Sequence, residues 1–206
     1  MYRLPNKLAI LVANGLAAVM DFGVGALIAV LLLQLFSLPV TPLALLLGGT
    51  LALLPDFDVV PSILLGRNVY FDHHQTLLHR PLLVLFIIGL VSYFLGGEVW
   101  LYISLACLVY HYFHDTGYFS LVTGIAWLWP FSPRPVSWWG FYDQIPSDHH
   151  VWLKRFWFQP TLKSVTELST GVAALAGAIL IAGLSNIWLL LPLFFVVIIL
   201  TLWFSH

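Results

Sequence analysis

The sequence predicts an all-α membrane protein, a polytopic bundle of about six spanning helices formed by one domain over residues 1–206. Three observations predict it. Of the 206 residues, 61% are hydrophobic and only 8% are charged, and the mean hydropathy is +0.96. Soluble domains carry about 25% charged residues, so this chain lacks the polar side chains that would cover a water-facing surface. Long apolar runs also recur along the chain, divided by short polar, proline-rich or glycine-rich segments.

Six apolar runs are candidate spans, because a spanning helix needs roughly 20 apolar residues and shorter ones can be accommodated. They lie at residues 8–36, 43–54, 81–95, 99–112, 165–184 and 187–204. The first run is much longer than the core of a signal peptide, which is roughly 7–15 residues, so we expect a retained span. The second is short for a full crossing and stops at Pro55. Gly96 and Gly97 separate the third run from the fourth.

Two stretches between the fourth and fifth runs are predicted to lie at the membrane without spanning it. Residues 121–131 are apolar but short, which favours a re-entrant or interfacial segment. Residues 132–163 combine tryptophans with basic side chains, as expected at headgroup level. The single cysteine, Cys107, excludes an intrachain disulfide and is expected to be a small buried hydrophobe.

The basic residues predict the orientation of the spans through the positive-inside rule. With six spans and both termini in the cytoplasm, all eight basic residues fall on the cytoplasmic side: Arg3, Lys7, Arg67, Arg80, Arg134, Lys154, Arg155 and Lys163. The connections on the other side, after the first, third and fifth runs, contain no Lys or Arg. This argument requires the run at 43–54 to cross fully. It places the polar clusters near residues 55–80, 111–115 and 143–167 on the cytoplasmic face.

Three groups of potential metal-ligating side chains converge on that face. Asp56 and Asp58 directly follow the second run, where solvated acids at a capped helix end are the alternative. The stretch 72–80 holds three histidines within seven residues, for which a polar interfacial loop is the alternative. In a helix ending near residue 116, His111 and Asp115 project from one face. Hydrogen bonding among themselves is the alternative for that group.

The residue types in these groups point to a metal ion. Imidazoles and carboxylates at the end of an apolar helix are costly to desolvate unless something pairs with them. Histidine nitrogens and carboxylate oxygens without thiolates suit zinc, with manganese or iron as alternatives. The candidate ligands are numerous enough for one or two divalent ions. In hydrolases such ions activate water and stabilise the leaving oxygen.

The order of the polar elements matches a known pattern. The matching elements are Leu54-Pro-Asp-Phe-Asp58, His74 with His79, His111 with Asp115, and Leu128-Trp-Pro-Phe131. Over roughly residues 45–131 the chain resembles the LexA-regulated, membrane-bound metal-dependent hydrolases of bacteria and archaea. It departs from that family's pattern at Gln75, Thr76, Leu78 and Arg80, which surround the two retained histidines.

The resemblance implies a metal-dependent hydrolase in the cytoplasmic (inner) membrane of a bacterium or archaeon. The implied metal ligands are Asp56, Asp58, His74, His79, His111 and Asp115. Asp58, with Asp56 as a second catalytic carboxylate, is predicted to act as general base toward water. The expected cofactor is a divalent metal, zinc before manganese or iron. Because outer residues tune a metal site more than they create it, the departures are expected to affect the substrate and the rate.

Six further polar residues are predicted to support the ligands or to contact substrate: His73, His114, Arg80, Glu167, His149 and His150. Glu167 also has the capping-box spacing from Ser164, and the two histidines near residue 150 also suit an exposed loop. The planar guanidinium of Arg80 suits an anionic group, although snorkelling to the interface is equally expected. Asp21 lies in the middle of a span. It is expected to be either a functional residue or a partner in a helix–helix hydrogen bond.

The leading functional hypothesis is a membrane-embedded hydrolase that cleaves a phosphoester or acyl bond in a lipid-like substrate. A metal-ion transporter is one alternative, but only Asn14 and Asp21 place polar groups within spans and no span pair resembles an inverted repeat. A metal-binding scaffold without catalysis is the other, suggested by the altered residues around His74 and His79. The expected partners are membrane lipids, and the net charge of −1 indicates no nucleic-acid partner.

Overall fold

The computed structural model describes residues 6–58, 60–61, 74, 76–116, 124–138 and 162–183. Within these ranges the chain forms four α-helices: α1 (Asn6–Leu35), α2 (Pro42–Leu53), α3 (Pro81–Thr116) and α4 (Leu162–Ala182). Two short 3-10 helices, Leu54–Asp58 and Leu77–His79, lie between α2 and α3. The same ranges contain no β-strand, only an isolated antiparallel bridge between Ile125 and Val136. The predicted all-α class is confirmed for this part of the chain.

Three helices are long and apolar enough to cross a membrane: α1 through Ala18–Leu35, α3, and α4 through Val165–Ala182. The chain is therefore a membrane protein, as the composition predicts. The prediction of six spans is not supported, because the described ranges contain three apolar helices of spanning length, and one of these, α3, folds back on itself at Gly97. The 12 residues of α2 reach only about 18 Å, well short of a hydrocarbon core about 30 Å thick. The predicted sixth run, 187–204, and most of the interfacial stretch 132–163 lie outside the described residues.

Helix α3 reverses direction at Gly97. Its φ of 78° and ψ of −167° are non-helical, in a region that glycine adopts without the steric cost of a Cβ. A Cβ on Gly89 would lie 3.1 Å from a methyl carbon of Leu101, which is possible only if the chain folds back on itself. Buried Val84 likewise belongs to the same apolar cluster as Leu108. The two arms, residues 81–96 and 98–116, therefore pack side by side, with the break at the glycine pair where the sequence places it.

Helix α1 packs against α2 and α4 at glycines, where the backbones come into contact. A Cβ on Gly23 would lie 2.1 Å from the carbonyl oxygen of Gly171 in α4, and a Cβ on Gly25 would lie 2.4 Å from that of Gly48 in α2. Small residues permit this approach, which membrane helices use because lipid gives no hydrophobic drive for their association. One apolar cluster joins all three helices: Ala26, Val30, Leu45, Leu175, Ala178 and Ile179.

Helix α2 ends by tightening into a 3-10 helix that carries the first polar group of the site. It begins at Thr41, whose Oγ1 accepts a hydrogen bond from the Ala44 N–H at 3.2 Å. Pro42 occupies a first-turn position. A backbone N–H there has no acceptor within the helix, so proline loses no hydrogen bond. The following 3-10 helix, Leu54–Asp58, brings two carboxylates toward α3 directly after the helix end.

We expect the substitution Gly23→Ala to destabilise the bundle by about 2 kcal/mol or more, because the new methyl group overlaps the α4 backbone. Gly15→Ala is the matched control, since a Cβ there meets nothing within 4 Å and alanine favours the helix. Thermal unfolding of both variants in detergent, followed by circular dichroism, gives the comparison. Equal unfolding midpoints for the two variants would contradict the close α1–α4 contact.

Candidate metal centre

Four side chains from three elements converge on one point. Asp56 lies on the 3-10 helix after α2, His79 ends the second 3-10 helix, and His111 and Asp115 lie on the second arm of α3. One ligand atom from each residue lies within 4.8 Å of all the others. The helical spacing of four residues places His111 and Asp115 on the same face of α3, as predicted from the sequence. We call this set the tetrad.

The distances within the tetrad leave a small space between donor atoms. The Oδ2 atom of Asp115 lies 3.0 Å from Nε2 of His111 and 3.3 Å from Nε2 of His79. The Oδ1 atom of Asp56 lies 3.7 Å from each of the same two nitrogens. Both histidines therefore turn Nε2 toward the two carboxylates.

A hydrogen bond from α3 holds the second 3-10 helix against the site. The hydroxyl of Tyr112 donates to the carbonyl oxygen of Leu78 at 2.7 Å. The ring of Tyr112 also packs edge-on against His79 and His111, with centroids 6.5 Å and 5.7 Å apart. Buried Tyr112 thus fixes the backbone next to His79 and forms an apolar wall beside both imidazoles.

The tetrad fits a divalent cation on two grounds. His79 and His111 are buried, and the Oδ2 atom of Asp115 and both ring nitrogens of His111 make no hydrogen bond to any described residue. Buried polar atoms of this kind are costly unless they are satisfied. Two imidazole nitrogens and two carboxylate oxygens are donor atoms that divalent metal ions accept in proteins. The structure therefore contains a group that could hold a metal ion.

The electrostatics of the site favour positive charge between the carboxylates. Burial acts to lower the pKa of His79, but the facing carboxylates of Asp115, Asp56 and Asp58 hold that pKa well above its usual value. Burial acts to raise the pKa of Asp56, but His111 and then His79 hold it below its usual value. A divalent cation supplies the same favourable charge without a proton.

The structure places the remaining predicted ligands, His74 and Asp58, outside the tetrad. The Nε2 atom of His74 lies 3.7 Å from Oδ2 of Asp115, and its ring centroid is 5.0 Å from that of His79. Asp58 lies on the opposite edge of His79, with its Oδ2 atom 3.0 Å from Nδ1. His74 thus flanks the tetrad, whereas Asp58 contacts one of its members from behind.

A second polar group lies behind His111 and joins three helices. The Oδ1 atom of Asp21, in the middle of α1, lies 3.0 Å from Nδ1 of His114, and its Oδ2 atom lies 3.7 Å from Nδ1 of His111. On the other side of His114, Nε2 lies 3.6 Å from Oε1 of Glu167 in α4. Asp21 and Glu167 are both buried. The position of Asp21 within a predicted span indicated from the sequence that it has a polar partner. The sequence did not identify His114 as that partner.

Arg80 is the remaining described residue among those predicted to contact substrate. Its guanidinium carbon lies 5.8 Å from the centre of the Trp129 ring, a cation–π distance. Arg80 follows His79 directly, so it lies near the tetrad. His73, His149 and His150 lie outside the described residues.

Comparison with known proteins identifies the family of the chain. Residues 18–206 match the YdjM inner membrane protein family, and the chain therefore belongs to it. No curated protein and no solved structure matches the chain. The family agrees with the membrane part of the resemblance noted in the sequence, while the hydrolase part stays a prediction.

We expect Asp21→Asn to lower the free energy of unfolding by about 2 kcal/mol, because a buried charge-assisted contact with His114 is replaced by a neutral one. Glu98→Gln is the matched control, since it makes the same acid-to-amide change at an exposed position. Thermal unfolding in detergent without added metal gives the measurement. An unfolding midpoint for Asp21→Asn equal to that of the control would show that the group does not stabilise the bundle.

Proposed function

We propose that this member of the YdjM inner membrane protein family is a membrane-embedded, metal-dependent hydrolase. The observation that carries the proposal is the tetrad of Asp56, His79, His111 and Asp115, whose donor atoms meet at the end of a membrane helix. Two imidazoles and two carboxylates at one buried point are costly as packing alone. The four residues come from distant parts of the chain, and their arrangement supports a role as a ligand set.

Zinc is the metal that we propose first, with manganese or iron as alternatives, because the donors are nitrogen and carboxylate oxygen. A divalent ion bound there would lower the pKa of a water molecule and so would supply a nucleophile near neutral pH. His79 and His111 would provide neutral nitrogen donors. Asp115, which contacts both histidines, would be the central oxygen donor.

Asp56 is the residue that we propose as general base. Its side chain is 26% exposed, against 14% for Asp115, so it is the more open of the two tetrad carboxylates. A general base must lie within reach of the proton that it removes. Asp58 lies behind His79, 3.0 Å from Nδ1, and this position does not favour the base role predicted from the sequence.

The proposed substrate is a lipid-like molecule with a phosphoester or acyl bond. The tetrad lies where the second arm of α3 ends, and α3 is among the helices apolar enough to cross the membrane. A substrate anchored in the bilayer could reach this depth without leaving it. Arg80 directly follows His79, and its guanidinium suits a phosphate or carboxylate. The cytoplasmic orientation predicted from the basic residues requires α2 to cross the membrane, which its length of 12 residues does not support, so the proposal does not depend on the side of the membrane.

We expect purified wild-type protein to bind zinc, manganese or iron in about one or two equivalents per chain. His111→Ala and Asp115→Asn should lose most of this metal because each removes a donor atom from the tetrad. Glu98→Gln, an exposed acid-to-amide change, is the control and should bind like the wild type. Elemental analysis after loading and desalting gives the metal content.

The loaded wild type should then hydrolyse at least one member of a panel of phosphoester and ester lipids in mixed micelles, with loss of activity in the His111→Ala variant. A wild-type protein that binds none of the three metals would refute the proposal. Specific metal binding without turnover of any lipid in the panel would instead favour the metal-binding scaffold.

A further inference from the structure

Asp58 lies within hydrogen-bond distance of the outer edge of a ligand histidine. Its Oδ2 atom lies 3.0 Å from Nδ1 of His79, whereas Asp115 lies 3.3 Å from Nε2 of the same ring. Both Asp58 and His79 are buried. The imidazole of His79 is therefore held between carboxylates on both of its nitrogen-bearing edges.

We propose that Asp58 is a positioning residue, which accepts a hydrogen bond from Nδ1–H of His79 and so presents Nε2 to the metal. The proposal rests on the metal centre proposed above, and it gives Asp58 a role different from the ligand and general base predicted from the sequence. Histidine ligands of metals generally donate their second ring N–H to a carboxylate or carbonyl, which fixes the tautomer and the ring orientation.

The short 3-10 helix explains how two nearby acids reach opposite edges of one imidazole. With three residues per turn, residues two apart point about 120° away from each other around the axis. Asp56 and Asp58 are separated by one residue on the 3-10 helix Leu54–Asp58. The first carboxylate lies 3.7 Å from Nε2 of His79 and the second lies 3.0 Å from Nδ1. The Asp-x-Asp spacing thus supplies one ligand and one support for the same histidine.

The side chain of Asp58 is itself held in place by a neighbouring residue. The Thr76 hydroxyl donates to the same Oδ2 atom that faces His79. This oxygen therefore has two partners, one just before the second 3-10 helix and one at its end. The other oxygen, Oδ1, is buried and makes no hydrogen bond to any described residue. Direct metal binding through Oδ1 is consequently the competing assignment that an experiment must separate from positioning.

Cobalt(II) binding separates these assignments, because cobalt gives a visible spectrum that reports the number and type of its ligands. The variants are Asp58→Asn and Thr76→Val, with Asp115→Asn as the reference for ligand loss and Glu98→Gln as the neutral control. For Asp58→Asn we expect the apparent affinity to fall about 10- to 100-fold, while the spectrum at saturation keeps the wild-type shape. Thr76→Val, which keeps the carboxylate and removes its support, should weaken binding in the same direction and less.

Nitrogen-15 NMR of histidine-labelled protein provides a second readout that does not depend on activity. In the zinc-loaded wild type, Nδ1 of His79 should carry a hydrogen-bonded proton in slow exchange with water. Asp58→Asn should shift that resonance and speed its exchange. The resonance is assigned by its absence in His79→Ala, and Glu98→Gln should leave it unchanged.

Each outcome supports or overturns the proposal. A saturated cobalt spectrum in Asp58→Asn that changes as it does in Asp115→Asn would make Asp58 a ligand and overturn the positioning role. Unchanged cobalt affinity together with an unchanged His79 resonance would also overturn it, while leaving the metal centre in place. Failure of the wild type and of Glu98→Gln to bind cobalt would instead refute the centre itself, and the positioning role with it.

Discussion

The contact between His111 and Asp115 is the interaction on which the surrounding structure depends. The two residues lie one turn apart on α3, with Nε2 and Oδ2 separated by 3.0 Å in a buried part of an apolar bundle. Ionisable groups persist in such surroundings only where partners compensate their desolvation. The neighbouring elements supply those partners, with Asp56 and His79 from the two 3-10 helices and Asp21 from α1. His111 contacts both Asp115 and Asp21, so the tetrad and the polar group behind it are joined, and α1, α3 and α4 contribute side chains to them.

Close helix packing makes this arrangement possible. Helix α1 contacts the backbone of α4 where Gly23 meets Gly171. Asp21 precedes Gly23 by two residues on α1, and Glu167 precedes Gly171 by four residues on α4. The two acids therefore lie near the crossing point, on either side of His114. A larger side chain at the crossing would separate the helices and move a carboxylate away from its imidazole. The small residues and the buried charges consequently depend on each other.

His79 connects the stability of this region to its chemistry. A buried imidazole between carboxylates is stabilised by accepting positive charge, either as a proton or through a bound cation. Asp58 and Tyr112 constrain its ring and its backbone, so its Nε2 atom has a defined direction. Ring orientation set by groups outside the ligand set is the usual means by which proteins tune a metal centre. The same contacts that satisfy buried polar groups thus prepare a site at the end of a membrane helix.

Composition and periodicity were sufficient for the helical membrane class, for the break at Gly97, and for the shared face of His111 and Asp115. These properties follow from local rules. A long apolar run is stable in a lipid environment, glycine permits a positive φ, and a period of 3.6 residues aligns side chains four apart. Spacing alone did not show whether a short apolar run crosses the bilayer. It also left open which edge of His79 each carboxylate meets, and only the tertiary structure places Asp58 at Nδ1 of that ring. The pairing of Asp21 with His114 spans 93 residues, and such contacts depend on how whole helices cross, a property that no local pattern of side chains encodes.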